Sequence, residues 1–275
     1  MAQWYDAKST TTQMYDRMAS SYNHLVPFFT DFGELLVAEA RVREGERVLD
    51  VATGQGACLI PAATAVGPTG AVVGIDLSEG MIDVLHRLIN AAGLSQVDVE
   101  LMDAEALTFE DCSFDVVTCA FALFHLDRVR VLPEFARVLR PGGRVAFSTF
   151  DNEALGYPWF GEVVAPFLPA DGPQPDAAAR VLHIDQDELV AQLHEAGFET
   201  VSTLVVERQY HFTSASEHWD WLMSNGHRAT IDRVEPGRVD ALKGAVTERL
   251  EQHRDAHGYQ FDKPIRFTLA SRLAP

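Results

Sequence analysis

The sequence predicts an α/β fold built on a doubly wound, mostly parallel sheet, and three observations carry that expectation. From Val48 to Thr149, short and continuously apolar runs alternate with helical patterns, as parallel strands buried on both faces require. The first apolar run, Val48-Leu49, ends in Asp50 and passes through the small-residue turn Thr53-Gly54-Gln55-Gly56 into an apolar helical pattern, which reads as strand, tight turn and helix. Acidic residues then stand at the ends of later strands, at Asp76 and Asp103, where ligands of doubly wound sheets bind.

Taken in order, residues 9 to 42 carry helical periodicity, with Met14, Met18 and Tyr22 spaced by four and a second run from Phe28 to Val42 set off by Pro27. Strands are expected at Val48 to Val51, Ala71 to Ile75, Val97 to Leu101, Phe114 to Cys119 and Arg144 to Thr149. Helices are expected at Cys58 to Val66, from the cap Ser78 to about Ala92, and at Val129 to Leu139, the last closed by Arg140-Pro141-Gly142-Gly143. Beyond Thr149 the rhythm breaks. Residues 151 to 184 hold five prolines among Trp159, Phe160 and Phe167, too apolar for a linker and too broken for a regular element. A helix from Gln186 to Ala196, a strand from Val201 to Phe212, a helical stretch over 214 to 257 broken near Pro236-Gly237, and a strand from Ile265 to Leu273 complete the chain. The expected organisation is one structural domain: an N-terminal helical cap over 1–45, a ligand-binding core over 46–150, and the remainder of the sheet over 151–275. Lid insertions are expected at about 151–184 and 213–260.

Composition narrows the function. With 22 basic and 40 acidic residues the formal net charge is −18, which opposes binding to phosphate polymers, so a nucleic-acid partner is not expected. No apolar run approaches the roughly 18 residues of a membrane span, and the start Met1-Ala2-Gln3-Trp4 has no signal-peptide character, so a cytoplasmic protein is expected. Cys58, Cys112 and Cys119 are odd in number and lack a CxxC pairing, which argues against a disulfide framework or structural zinc.

The turn after the first strand could serve two kinds of nucleotide ligand. A dinucleotide fingerprint wants GxGxxG, and Cys58 and Leu59 fall where the third glycine should be. Asp76, 20 residues after Gly56, suits a ribose hydroxyl in either case. Asp50 discriminates, because a carboxylate repels pyrophosphate and attracts an ammonium. An adenosine joined through a cationic sulfur to an amino acid matches this set of charges.

Six segments in order carry a resemblance: YDRMASSYN at 15–23, VLDVATGQG at 48–56, VVGIDLSEGMI at 72–82, MDAEAL at 102–107, FDVVTCAFALFHL at 114–126 and RVLRPGGRVAFS at 137–148. Over about residues 14 to 150 the chain resembles the class I S-adenosylmethionine-dependent methyltransferases, within them the ubiquinone/menaquinone-biosynthesis type and its small-molecule relatives. One departure is Ala52, where many family members have glycine. The resemblance implies a seven-stranded, mostly parallel sheet with the last strand antiparallel, and S-adenosylmethionine as cofactor. It implies that Asp50, Thr53 and Gly54 line the methionine moiety, with Gly56 also binding the cofactor and Tyr22 closing over the methionine end. Asp76 would hold the ribose hydroxyls, Leu77 and Met81 would lie against the adenine, Asp103 would accept from the adenine amine beside Ala104, and Ala120 would contribute backbone near the sulfonium.

Methyl transfer to an oxygen or carbon can require a base, and His125, just past the fourth strand, is the first candidate; its bland alternative is a structural histidine. His24, His183, His218 and His227 rank below it. Asp151-Asn152 resemble the metal ligands of catechol-type methyltransferases, but Cys119-Ala120-Phe121 supplies no second carboxylate, so no metal is expected. Tyr157, Trp159, Phe160, Phe167, Trp219 and Met223 are the candidate acceptor pocket, with a core beneath the insertions as the alternative. The expected activity is transfer of a methyl group to carbon, oxygen or nitrogen of a small apolar metabolite, aromatic, prenylated, terpenoid or polyketide-like. A cyclase of the same fold and a nicotinamide dehydrogenase are the competing readings. The apolar N-terminal segment suggests a homo-oligomer.

Overall fold

The computed structural model describes residues 2–23, 25–151, 158–170 and 184–273. Helix α1 (Ala2–Met18) and helix α2 (Phe28–Glu39) precede strand β1 (Arg47–Val51). The alternation then runs α3 (Leu59–Val66), β2 (Ala71–Asp76), α4 (Glu79–Ala92), β3 (Val97–Leu101), β4 (Phe114–Ala120), α5 (Arg128–Val138) and β5 (Leu139–Phe150). Local chemistry sets these bounds. The Ser78 hydroxyl accepts the Met81 N–H at the start of α4, Gly93 ends that helix in the left-handed region, and Asp127 accepts the Val129 N–H at the start of α5.

The C-terminal part contains α6 (Pro158–Val164), α7 (Gln186–Glu195), β6 (Phe198–Phe212), α8 (Ala215–Met223), α9 (Arg228–Ile231), α10 (Val239–Glu251), β7 (Arg254–Asp255) and β8 (Gly258–Arg272). The sheet order is β3-β2-β1-β4-β5-β8-β6. Strands β1 to β5 pair in parallel, and β8 runs antiparallel to both β5 and β6. This is the expected seven-stranded arrangement; the two-residue β7 adds a short ribbon on β8.

Two boundaries differ from the sequence expectation. Residues Arg140 to Gly143 do not simply close α5: β5 begins at Leu139, which pairs with Phe114, and the register then shifts so that Arg144 pairs with Val116. Strand β6 starts earlier than expected, at Phe198, and β8 is longer than expected because Tyr259 to Pro264 pair with Glu207 to Phe212 past the last β5 partnership, Phe150 with Ile265. Their inward aromatics, Tyr210, Phe212, Tyr259 and Phe261, are buried against the lid helices, which keeps the ribbon folded beyond the sheet.

Alternate residues of each strand enter different apolar clusters. Val48, Val72, Val116 and Ala146 pack with α2, α3 and the lid, whereas Leu49, Val73, Val117 and Val145 pack with α5 and α7. That double burial is why the strands are continuously apolar. In the N-terminal segment, Met14, Met18, Phe28, Phe32, Leu36 and Val37 are buried within the chain, so its apolar side is covered intramolecularly. Among the described residues no helix is long and apolar enough to cross a membrane.

Candidate active site

The site begins at the β1–α3 turn. Ala52 adopts φ +52°, and the following Thr53 N–H donates to the Ile75 carbonyl at 2.9 Å, binding the turn to the end of β2. Gly54 and Gly56 have φ of +54° and +86°, the left-handed region that favours glycine. Asp50, only 2% exposed, lies beneath this turn and accepts the hydroxyls of Thr53 at 2.6 Å and Thr118 at 2.7 Å. Burial pushes its carboxyl up to about 6, against the lowering effect of those hydroxyls and of the Leu59 N–H.

Asp76, at the end of β2, accepts the Gly54 N–H and the Ser78 N–H, both at 2.9 Å. Burial raises its carboxyl above the ordinary range despite these bonds. Above the two turns lies a cavity, partly open to solvent, whose empty space including its open mouth is about 830 Å3. Of the residues singled out from sequence, Tyr22, Gly54, Asp76, Leu77, Met81, Ala104, Ala120 and His125 line it. Asp50, Thr53, Gly56 and Asp103 do not reach its wall; the first three build and support the turn, and Asp103 lies just outside it.

Helix α1 supplies the part of the wall that sequence reasoning missed. Lys8, Thr11, Thr12 and Tyr15 line the cavity from this helix. Lys8 Nζ stands 2.8 Å from both oxygens of Asp103 and 3.0 Å from Glu105, which also pairs with Arg130. In the last turn of α1, Asp16 accepts the Ser78 hydroxyl at 2.6 Å and the Gly80 N–H at 3.1 Å, fastening α1 to the start of α4. The four-residue spacing of Lys8, Thr12 and the neighbouring Thr11-Tyr15 pair was the available signal: it places all four on adjoining faces of one helix.

At the opposite end from Lys8, the Tyr15 hydroxyl and His125 Nε2 are 3.2 Å apart. Burial pushes the His125 imidazole down to about 4, so it is neutral at physiological pH, and burial with Asp76 nearby raises the Tyr15 phenol. The Tyr22 ring stacks on Phe29 at 4.9 Å, and burial, Tyr15 and Asp76 all raise its phenol. Phe121, in the left-handed region with φ +53°, also forms cavity wall.

The lid candidates fall elsewhere. Trp159, Phe160 and Trp219 are buried in the apolar cluster beneath the insertions, with Phe167 and Met223 packed against it, and none of the five lines the cavity. Tyr157, His24, His183 and Asn152 lie outside the described residues. Asp151 is ion-paired with Arg266 at 2.9 Å. His218 packs between Phe212 and Trp221, and His227 against Phe160 and Trp221, both away from the cavity.

Residues 48–143 match a family described as a methyltransferase domain. The aklanonic acid methyltransferase of Streptomyces sp. (strain C5) is 39% identical over 164 residues, 59% of this chain and 74% of that protein. The nocamycin O-methyltransferase of Saccharothrix syringae is 33% identical over 95% of this chain and 98% of its own length. A ubiquinone/menaquinone biosynthesis C-methyltransferase of Cupriavidus metallidurans is 34% identical, covering 68% of this chain and 79% of that protein. Among solved structures, an S-adenosylmethionine-dependent methyltransferase from Aquifex aeolicus is 27% identical with a TM-score of 0.50, covering 63% of this chain and 82% of that one.

Proposed function

The chain belongs to the class I S-adenosylmethionine-dependent methyltransferases, and we propose that it methylates a small, largely apolar metabolite with an aromatic, prenylated, terpenoid or polyketide-like skeleton. The observation that carries this reading is one cavity whose wall joins Asp76 and Gly54 of the strand-end turns to the aromatic side chains of Tyr15, Tyr22 and His125. The relatives support the substrate class: one is named for aklanonic acid, one for nocamycin and one for quinone biosynthesis.

The residues fit the cofactor. Asp76 accepts the Gly54, Ser78 and Leu77 N–H groups and, among the described residues, pairs with no cation, so its remaining lone pairs suit the ribose hydroxyls. Leu77, Met81 and Ala104 give the adenine an apolar slot, with Asp103 at its rim for the adenine amine. Gly54 bares backbone to the methionine part, Asp50 adds negative potential from beneath through its threonine-held carboxylate, and Tyr22 covers that end. The chemistry S-adenosylmethionine supplies when bound is a methyl carbon activated by a positively charged sulfur. The chain's own contribution is positioning and exclusion of water, which suits an in-line displacement. Ala120 and Phe121 bound the space beside the reacting end, and His125 faces the acceptor.

Incubation with methyl-labelled cofactor and a panel of aromatic and polyketide-like acceptors tests the reading: label should appear in product. Product formed with the label still on the cofactor would instead favour a cyclase and overturn it. Asp76→Ala is expected to weaken S-adenosylhomocysteine binding at least tenfold by calorimetry, since it removes the ribose partner and leaves the Gly54 and Ser78 N–H groups unpaired.

A further inference from the structure

The acceptor end of the cavity is polar at one place, the Tyr15–His125 pair. His125 makes its hydrogen bond, among the described residues, to the phenol of Tyr15 and to no carboxylate. A histidine that takes up a proton during catalysis is ordinarily supported by a carboxylate that stabilises the imidazolium. Around this ring stand Phe124 at 4.6 Å and the cavity-wall residues Phe121, Ala122 and Leu126. The charged groups facing the same space are Asp76 from the end of β2 and Lys8 from α1, and the Lys8 ammonium is spent on Asp103 and Glu105. Tyr22 adds a second phenol. Among the described residues no carboxylate is hydrogen-bonded to this ring, the Asp76 carboxylate being held by the Gly54 and Ser78 N–H groups, and an imidazolium would share the cavity with the positive sulfur, so protonation is opposed twice over. The downward shift of His125 agrees with this geometry. What the neutral pair offers instead is donation: with the His125 Nε2–H directed at the Tyr15 oxygen, the phenol O–H is left free for an acceptor atom.

Resting on the methyltransferase reading, we infer that the acceptor atom is the oxygen of an acid, a carboxylate or an acidic enolate, bound as its anion and held by the Tyr15 O–H, which the His125 Nε2–H supports. Tyr15 is then a binding residue for the acceptor, and His125 a donor and not a base. The step balances without a proton: a lone pair of the anionic oxygen forms the bond to the methyl carbon, the methyl–sulfur bond breaks with its electrons on sulfur, and the two opposite charges cancel. Acceptors that must give up a proton in the transfer step itself do not suit the site, because among the described residues no carboxylate-supported base stands within it.

The test reads binding as well as turnover. Protein saturated with sinefungin, which carries an ammonium near the sulfonium position, or with neutral S-adenosylhomocysteine, is titrated with 2-naphthoate, 2-naphthol and 2-naphthylmethylamine. Naphthoate should bind at least tenfold tighter than the other two in the sinefungin complex, and tighter there than in the S-adenosylhomocysteine complex. Tyr15→Phe should weaken naphthoate at least fivefold while S-adenosylhomocysteine affinity stays within about twofold, and His125→Asn, which retains an N–H, should bind naphthoate better than His125→Ala. Equal affinities across the three probes, absence of naphthoate binding, or a His125 that protonates near neutral pH by NMR would overturn the inference. Failure of both cofactor analogues to bind would instead count against the cofactor reading.

Discussion

Asp50 illustrates how a single residue carries both stability and site. Its carboxyl is raised from the ordinary range to about 6, so between about pH 4 and 6 the folded protein holds a proton that the unfolded chain has lost. The Asp50 contribution to stability is therefore expected to fall as pH rises through that window, by about 3 kcal/mol at two pKa units, and to level off above it. The buried His125 and His218 act oppositely, since burial lowers both to about 4 and their contribution is lost as pH falls below about 6.5. Comparing the native chain with Asp50→Asn by urea denaturation across pH isolates the Asp50 part: between about pH 4 and 6 the variant's stability should rise more steeply with pH than the native chain's. Ala52 is a second case. It holds φ +52° at a place where relatives commonly carry glycine, a conformation that costs an L-residue about 1–2 kcal/mol, partly offset by the greater chain entropy of glycine. Ala52→Gly should raise the thermal midpoint, corresponding to a gain of about 1 kcal/mol or less. That Ala52 departs from glycine was legible in the sequence; that the backbone nevertheless keeps the left-handed turn was not.

At the scale of elements, α1 matters more than its sequence suggests. Periodicity marks it as a helix, but nothing local says which way it turns its polar face, because that choice depends on meeting Asp103, Glu105, Ser78 and Gly80 from distant parts of the chain. Lys8→Met is expected to change global stability by less than about 1 kcal/mol, since the Lys8 side chain and the Asp103 carboxylate are both solvent-accessible in part. It should weaken S-adenosylhomocysteine binding severalfold by unfastening the helix from the cavity rim, as read by calorimetry beside a denaturation curve. The strand-to-helix turns behaved differently. Ser78, Asp127 and Gly93 are recognisable caps in the chain itself, because a cap satisfies groups within a few residues of it.

For the whole molecule, the lid is where local reasoning reaches least far. Trp159, Phe160 and Trp219 look alike as pocket or as core, and the long β6–β8 ribbon with α6, α8 and α10 draws them into the apolar cluster. Trp219→Ala should cost about 3–5 kcal/mol of stability while leaving S-adenosylhomocysteine affinity of the folded protein unchanged. Acceptor affinity measured on the same variant decides whether this aromatic reaches the substrate: a loss beyond about tenfold at conditions where the protein is folded would place it in the pocket.

The sequence by itself determined the alternating α/β core, the β1–α3 turn, and the acids that follow β1, β2 and β3, because each is set by patterns a few residues long: apolar runs, glycines, caps. Only the tertiary structure decided that Asp50 lies under the turn and not in the cavity wall, that Tyr15 meets His125 across 110 positions of chain, and that the lid aromatics pack away from the site. Those outcomes depend on where separate elements dock, and docking is governed by the fit of whole buried faces, which no short stretch of sequence records.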